Sequence, residues 1–294
     1  MDASDLKVFE AVARLGGMGR AAAELNTVQS NVTARIRRLE DELGATLFER
    51  HSRGVTPTSA GRRLLPYASM VEAVLADARR ATLDDGDLAG ALTIGSLETT
   101  AALRLSPILT SFVSTHPAVD LALRTGTTCE LIEDVLARRI EGAFVCGPVV
   151  HGELEAETVF REELALLTAP GVDGIQALSA ETGVKIVVLR EGCSYRQRLE
   201  DILARRGVVG LRRLEFGTLE AIIGCVAAGI GVTLLPRGLI GPVWRDGRVA
   251  VHPLAPRDAL VDTVFVRRRD GYVSSALRAF LDHARPALTR VDAA

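Results

Sequence analysis

Gln29, Ser30, Thr33, Arg37 and Arg38 share one side of a predicted helix, and Arg50, His51 and Arg53 follow in a loop around Gly54. Amide and hydroxyl side chains near a helix N-terminus, with Asn31 beside them, are short enough to approach base edges in a DNA major groove. Arginines one turn later reach the phosphates on either side, and Arg50 and Arg53 extend that contact. The other side of the helix carries Val32, Ile36 and Leu39. Their 4,3 spacing holds them within about 60° at 3.6 residues per turn, so they form its core face. A solvated three-helix core would show the same polar face, and patterning alone leaves both readings open.

A second group of chemically useful residues lies in loops at the ends of short apolar runs. These are "SLETT" (96–100), with Ser96, Glu98, Thr99 and Thr100; "TGTTC" (125–129), with Thr127, Thr128 and Cys129; and "CGP", which begins at Cys146. "REGCSYR" (190–196), with Cys193 and Tyr195, and "GTLE", with Thr218, hold the matching places later in the chain. Hydroxyls and free amides at helix N-termini suit a carboxylate or similar anion. Arg190 and Arg196 would add a charge clamp, whereas Glu98 and Glu220 count against a purely anionic pocket. Ser96, Thr128 and Thr218 read equally well as helix caps. Cys129, near a helix N-terminus, is placed for a lowered pKa.

The elements that must position these groups follow from periodicity. Leu6, Phe9, Val12 and Ala13 recur at helical spacing until Gly16-Gly17, and Ala22, Ala23 and Leu25 form the inner face of a short second helix. Asn26-Thr27 makes the turn, with Thr27 as expected N-cap of the third helix. Glu49 to Thr58 reads as a two-stranded wing. From Ser59 to about Ala81 the chain predicts one helix, with Leu64, Ala68, Val71, Leu75 and Ala78 as a short coiled-coil seam and Pro66 as a kink or restart. The same seam would equally pack on its own domain. "LDDGDLAG" (83–90) reads as a hinge. Beyond it "ALTIG", "VDLALR", "GAFVCG", "KIVVLR", "RRLEFG" and "GVTLLP" read as buried strands between amphipathic helices. That alternation predicts mainly parallel sheets covered by helices, with ligands at the C-terminal ends of the strands.

Composition narrows the classes. With 48% hydrophobic and 24% charged residues, the 294-residue chain can build two or three cored domains. Residues 1–66 carry ten Lys and Arg against eight Asp and Glu, and the remainder 25 against 29, a mildly basic front on an acidic body. Cys129, Cys146, Cys193 and Cys225 form no CxxC pair or zinc spacing, so reduced thiols and no metal site are expected. Acidic residues stand where a signal peptide would be positive, and the longest uncharged run, 221–236, holds 16 residues and three glycines. The expectation is a soluble cytoplasmic protein without a membrane span. No GxGxxG follows a strand, no Walker A is present, and the five histidines are scattered, so no cofactor and no enzymatic activity are expected.

The front segment resembles the N-terminal domain of LysR-type transcriptional regulators. The resemblance rests on Ala22-Ala23, Leu25, Gln29, Ile36, Leu39-Glu40, Leu43-Gly44, Leu47-Phe48, Arg50, Thr58 and Ala60-Gly61. It implies a winged helix-turn-helix over residues 1–58, in which Gln29, Ser30 and Thr33 contact bases and Arg50 and Arg53 contact backbone. Residues 59–90 would be a dimerising linker helix and hinge. Residues 91–294 would be an effector domain of two α/β lobes like a type 2 periplasmic binding protein. Lobe I would span about 91–163 and 264–294, and lobe II about 164–263. Effector-contacting positions would fall at Ser96 to Thr100, Thr127 to Cys129, Cys146 and Cys193 to Tyr195. The implied partners are double-stranded DNA, a second copy in a dimer and then a tetramer, a small-molecule effector and RNA polymerase at the promoter, with no membrane. Two other readings stay open: a thiol-based redox or electrophile sensor, since Cys193 lies near the reactive cysteine of peroxide-sensing members, and a solute-binding protein without gene regulation.

Overall fold

The computed structural model describes the chain except at residues 53, 85, 87, 173, 180–182, 242–245 and 290–294. It divides into two compact units, Met1–Asp85 with Ala137–Arg139, and Gly86–Leu136 with Ile140–Ala294.

The first unit opens with α1 (Ala3–Leu15), capped by the Asp2 carboxylate, which accepts from the Asp5 amide at 2.8 Å. It stops at Gly16, whose φ of +64° is left-handed and natural for glycine. α2 (Met18–Glu24) and α3 (Gln29–Leu43) follow. The N-cap of α3 is Val28 and not Thr27, because the backbone is still extended at Val28. The Thr27 hydroxyl instead accepts from the Asn31 side-chain amide at 2.9 Å. β1 (Phe48–His51) and β2 (Gly54–Pro57) form an antiparallel hairpin, the wing. Phe9, Val12, Ala21, Val32, Ile36, Leu39 and Leu47 are buried in one core. Glu40 ties helix to wing: its Oε1 accepts from the amides of Leu47 (2.7 Å) and Phe48 (3.3 Å).

α4 (Ser59–Leu83) begins at Thr58, whose hydroxyl accepts from the Gly61 amide and donates to the Thr46 carbonyl. The helix runs uninterrupted through Pro66. Leu64, Ala68 and Val71, three of the five expected seam residues, pack into the core of this same unit. A 4,3 stripe records only that one face is apolar, and here α1 covers its first two turns. The large apolar residues left exposed are Tyr67, Met70, Val74 and Leu75, with Leu83 at the helix end.

In the second unit β3 (Gly90–Ser96) lies between β4 (Val119–Thr125) and β5 (Gly142–Cys146), all parallel. The helix between β3 and β4 starts as α5 (Glu98–Thr100), loosens into a π turn at Ala101–Leu105 and continues as α6 (Ser106–Thr115). α7 (Thr128–Leu136) connects β4 to β5. The long strand β6 (Leu154–Thr168) is shared by the two halves of the sheet. Up to Glu163 it pairs with β11 (Leu260–Arg268); from Leu164 it pairs with β9 (Thr233–Pro236) and β10 (Ala250–His252). β11 shifts register at Thr263/Val264 and also pairs antiparallel with β5. Beyond this lie α8 (Gly174–Ser179), the parallel pair β7 (Lys185–Val188) and β8 (Arg212–Glu215), α9 (Ser194–Ala204) and α10 (Leu219–Ala227). A parallel bridge between Ile186 and Val232 links β7 toward β9. The helix Ser275–Thr289 ends the chain's described part, and Phe280 packs among Phe112, Phe144 and Ile94.

The sheets are therefore mixed and not mainly parallel. The crossover units are parallel as the strand–helix alternation requires, but β6 and β11, running between the halves, are antiparallel to each other. The result is two α/β lobes joined by the continuous strand β6, with residues at or after the C-terminal ends of β3, β5 and β7 lining a common cleft.

Candidate DNA-binding face and ligand cleft

On the first unit, the side chains of Gln29, Ser30, Thr33, Arg37 and Arg50 make no hydrogen bond or ion pair to any other described residue, and all but the half-buried Thr33 are exposed. Helix α3 presents the first four from its first three turns, Arg50 stands on β1, and no acid stands in the first turn of α3 to repel phosphate. Val28, 64% exposed, gives the helix no side-chain cap. Asn31 is exposed but held by Thr27. Arg38 points elsewhere: its Nη2 lies 2.5 Å from Oδ1 of Asp5, a carboxylate only 2% exposed, with Arg35 at 3.6 Å on the same oxygen. Arg53 lies outside the described residues. The wing is fixed by the Val55 amide, which donates to the Gly16 carbonyl at 3.1 Å.

The cleft of the second unit holds a cavity of about 150 Å³. Glu98, Thr99, Thr127, Cys146, Cys193 and Tyr195 line it, as do Leu97, Leu189, Arg190, Ser194 and Phe216. Other candidate residues do not. Ser96 is fully buried and its hydroxyl donates to the Leu97 carbonyl. Thr100 is buried behind the wall, and Cys129 is exposed outside the cavity. Thr218 caps α10, accepting from the Ala221 amide at 3.3 Å.

Thr127, and not Thr128, caps α7: its hydroxyl accepts from the Glu130 amide while Glu130 Oε2 accepts from the Thr127 amide at 2.8 Å. This reciprocal capping box, written Thr-x-x-Glu, was the available sequence signal. Thr128 instead accepts from Ser194 Oγ at 3.0 Å, a bond from one lobe to the other. Gly192, at φ +89°, permits that approach, since a Cβ there would stand 2.8 Å from the Thr127 hydroxyl.

Charge in the cleft is unevenly satisfied. Arg190 is paired with Glu130 at 3.1 Å, and Arg196 is drawn away from the cavity by Glu200 and Glu215, so the two arginines form no clamp. Glu98 has no ion-pair or hydrogen-bond partner among the described residues. Partial burial, then the like charge of Glu220, push its carboxyl above the ordinary range against the smaller pull of Arg190. The Thr99 hydroxyl, 2% exposed, sits beside the Tyr195 phenol without a partner of good hydrogen-bond geometry. Burial pushes the thiols of Cys146 and Cys193 and the phenol of Tyr195 upward, so all three stay protonated near neutrality. A protonated thiol is a poor nucleophile, which weighs against a redox trigger at Cys193.

A winged helix-turn-helix with a free polar recognition face, in one chain with a two-lobed ligand cleft, defines a ligand-responsive DNA-binding regulator. The chain belongs to the LysR family of transcriptional regulators. Residues 3–62 match the bacterial regulatory helix-turn-helix model of the lysR family, and residues 85–289 match the LysR substrate binding domain. It is 42% identical over 283 residues to the HTH-type transcriptional regulator GltR of Bacillus subtilis, covering 95% of each chain. It is 39% identical over 281 residues to CzcR of Bacillus cereus, covering 96% of each. Among solved structures, full-length CbnR in complex with its target DNA superposes with a TM-score of 0.66 at 24% identity, covering 98% of this chain and all of that one. Among the described residues no helix is long and apolar enough to cross a membrane.

Proposed function

We propose that α3 enters the major groove of a two-fold DNA site, Gln29, Ser30 and Thr33 reading base edges while Arg37 and the wing residue Arg50 hold phosphates. The observation that supports this most directly is that these polar side chains leave their hydrogen-bonding capacity free on one face, whereas Arg14, Arg35 and Arg38 of the same unit are held in ion pairs. CbnR, whose fold this chain shares, has been solved with its target DNA. Residues 1–58 form the DNA-binding domain in this reading, 59–90 the linker, and 91–294 the effector domain.

A small molecule in the cleft changes the relative populations of lobe arrangements, and with them the spacing of two DNA heads. The exposed row Tyr67, Met70, Val74 and Leu75 on α4 is the dimer surface, two dimers make the tetramer, and RNA polymerase is met at the promoter. The protein works in the cytoplasm by binding and not by catalysis.

Genome-wide selection tests the reading. Purified protein is mixed with fragmented DNA of its own organism at physiological salt, and retained fragments are footprinted. A few sites with half-sites about one helical turn apart are expected. Uniform, salt-sensitive retention of all fragments would overturn it.

A further inference from the structure

The cleft's unmet polar groups say what kind of ligand it takes. Glu98 lines the cavity as a partly buried carboxylate without a partner. Glu220, from the other lobe, is the like charge that acts on it, and Arg190, the cation at hand, already pairs with Glu130. Glu98 is thus the one carboxylate among the residues lining the cavity, and the guanidinium beside it, Arg190, is already engaged. Next to Glu98, the Thr99 hydroxyl is buried, lines the same cavity and lacks a partner of good geometry. A cavity lined by a partly buried, unpaired carboxylate favours a ligand that supplies hydrogen-bond donors and positive charge.

Resting on the reading of this cleft as the effector site, we propose that the effector carries a protonated amino group seated against Glu98, with a polar atom near the Thr99 hydroxyl. An ammonium there supplies the counter-charge that Glu98 lacks and offsets the like charge of Glu220. A pure dicarboxylate or aromatic acid would leave Glu98 unpaired and add a like charge. A bare metal ion is less well served, since no group of three or more His, Cys, Asp or Glu among the described residues is arranged to hold one. The size limit is tight: a cavity of 150 Å³ is of the order that admits benzene, about six non-hydrogen atoms, so the charged group and its near neighbours are what the closed site reads.

Calorimetric titration of the full-length protein tests this, with the protein amino acids and short alkyl diamines as probes, each beside its N-acetylated form, and succinate and benzoate as pure anions. At least one amine should bind, and acetylation should weaken it by about tenfold or more, the scale of one lost charge-assisted hydrogen bond. Glu98→Gln should weaken that amine by a similar factor, and Thr99→Val less. Glu220→Gln, at a residue that does not line the cavity, should weaken it less than Glu98→Gln. Binding should also fall as pH drops through the raised range in which Glu98 takes up a proton. A cooperative thermal melt of each variant reports that it folds. Binding of succinate or benzoate that tightens in Glu98→Gln would overturn the proposal, and so would failure of every amine on the wild-type protein. If genomic selection still recovers two-fold sites, such a failure removes the amine assignment alone and leaves the regulator reading standing.

Discussion

Arg37 and Arg38 are neighbours of the same type, yet the structure gives them different work. Arg37 is exposed and unpaired among the described residues, whereas Arg38 pairs with the buried Asp5. Arg37→Ala should weaken DNA binding by a similar factor at every site and lower the slope of log affinity against log salt by about one. Arg38→Ala should instead cost about 1–3 kcal/mol of stability, because it strips a buried carboxylate of its nearer partner; urea unfolding measures this. Periodicity placed both arginines on one face and could not separate them, since Asp5 reaches Arg38 only through the packing of α1 on α3. Glu98 carries a second residue-scale prediction. Its raised pKa means that the folded state gains from its protonation at low pH and loses that gain as pH rises through the raised value. Glu98→Gln, facing Glu220 and Arg190, should therefore raise the melting temperature at pH 7 and leave it unchanged below the ordinary carboxylate range, as parallel melts would reveal.

Among the elements, those with local signatures were legible and those made by distant pairing were not. α1 to α3 and the wing follow from glycine stops, apolar spacing and a compact motif within sixty residues. β6 did not stand out, because Glu155, Glu157, Glu162 and Glu163 make it look like a solvated stretch. Its neighbours β9, β10 and β11, each some 65 residues or more downstream, are what make it a strand. The cleft was half legible for the same reason. Hydroxyl-rich loops after strands announced Thr99 and Thr127, but Leu97, Leu189 and Phe216 become one apolar wall only when two lobes meet. On α4 the 4,3 spacing marks an apolar stripe without saying what covers it, and Leu64, Ala68 and Val71 serve the helix's own unit. The proposed dimer then uses what remains exposed. Met70→Glu combined with Val74→Glu should convert the dimer to monomer in sedimentation velocity without lowering the melting temperature of the first unit, whereas Ala68→Glu, inside the core, should unfold it.

For the whole molecule, two compact units with separate cores can lose structure separately, but the lobes of the second unit cannot. β6 is one unbroken strand belonging to both lobes, its pairing passing from β11 to β9 and β10 between Glu163 and Leu164. Melting either lobe strips the ladder partners from the strand that the other depends on. Differential scanning calorimetry of the full chain should thus assign residues 91–294 a single transition, and separate transitions for the two lobes would contradict it. The ladder that lets one lobe feel a ligand held by the other also makes the sensor indivisible. Damage in either half should silence sensing altogether, so variants selected for altered response should cluster at the cleft surface and avoid the interior of both lobes alike.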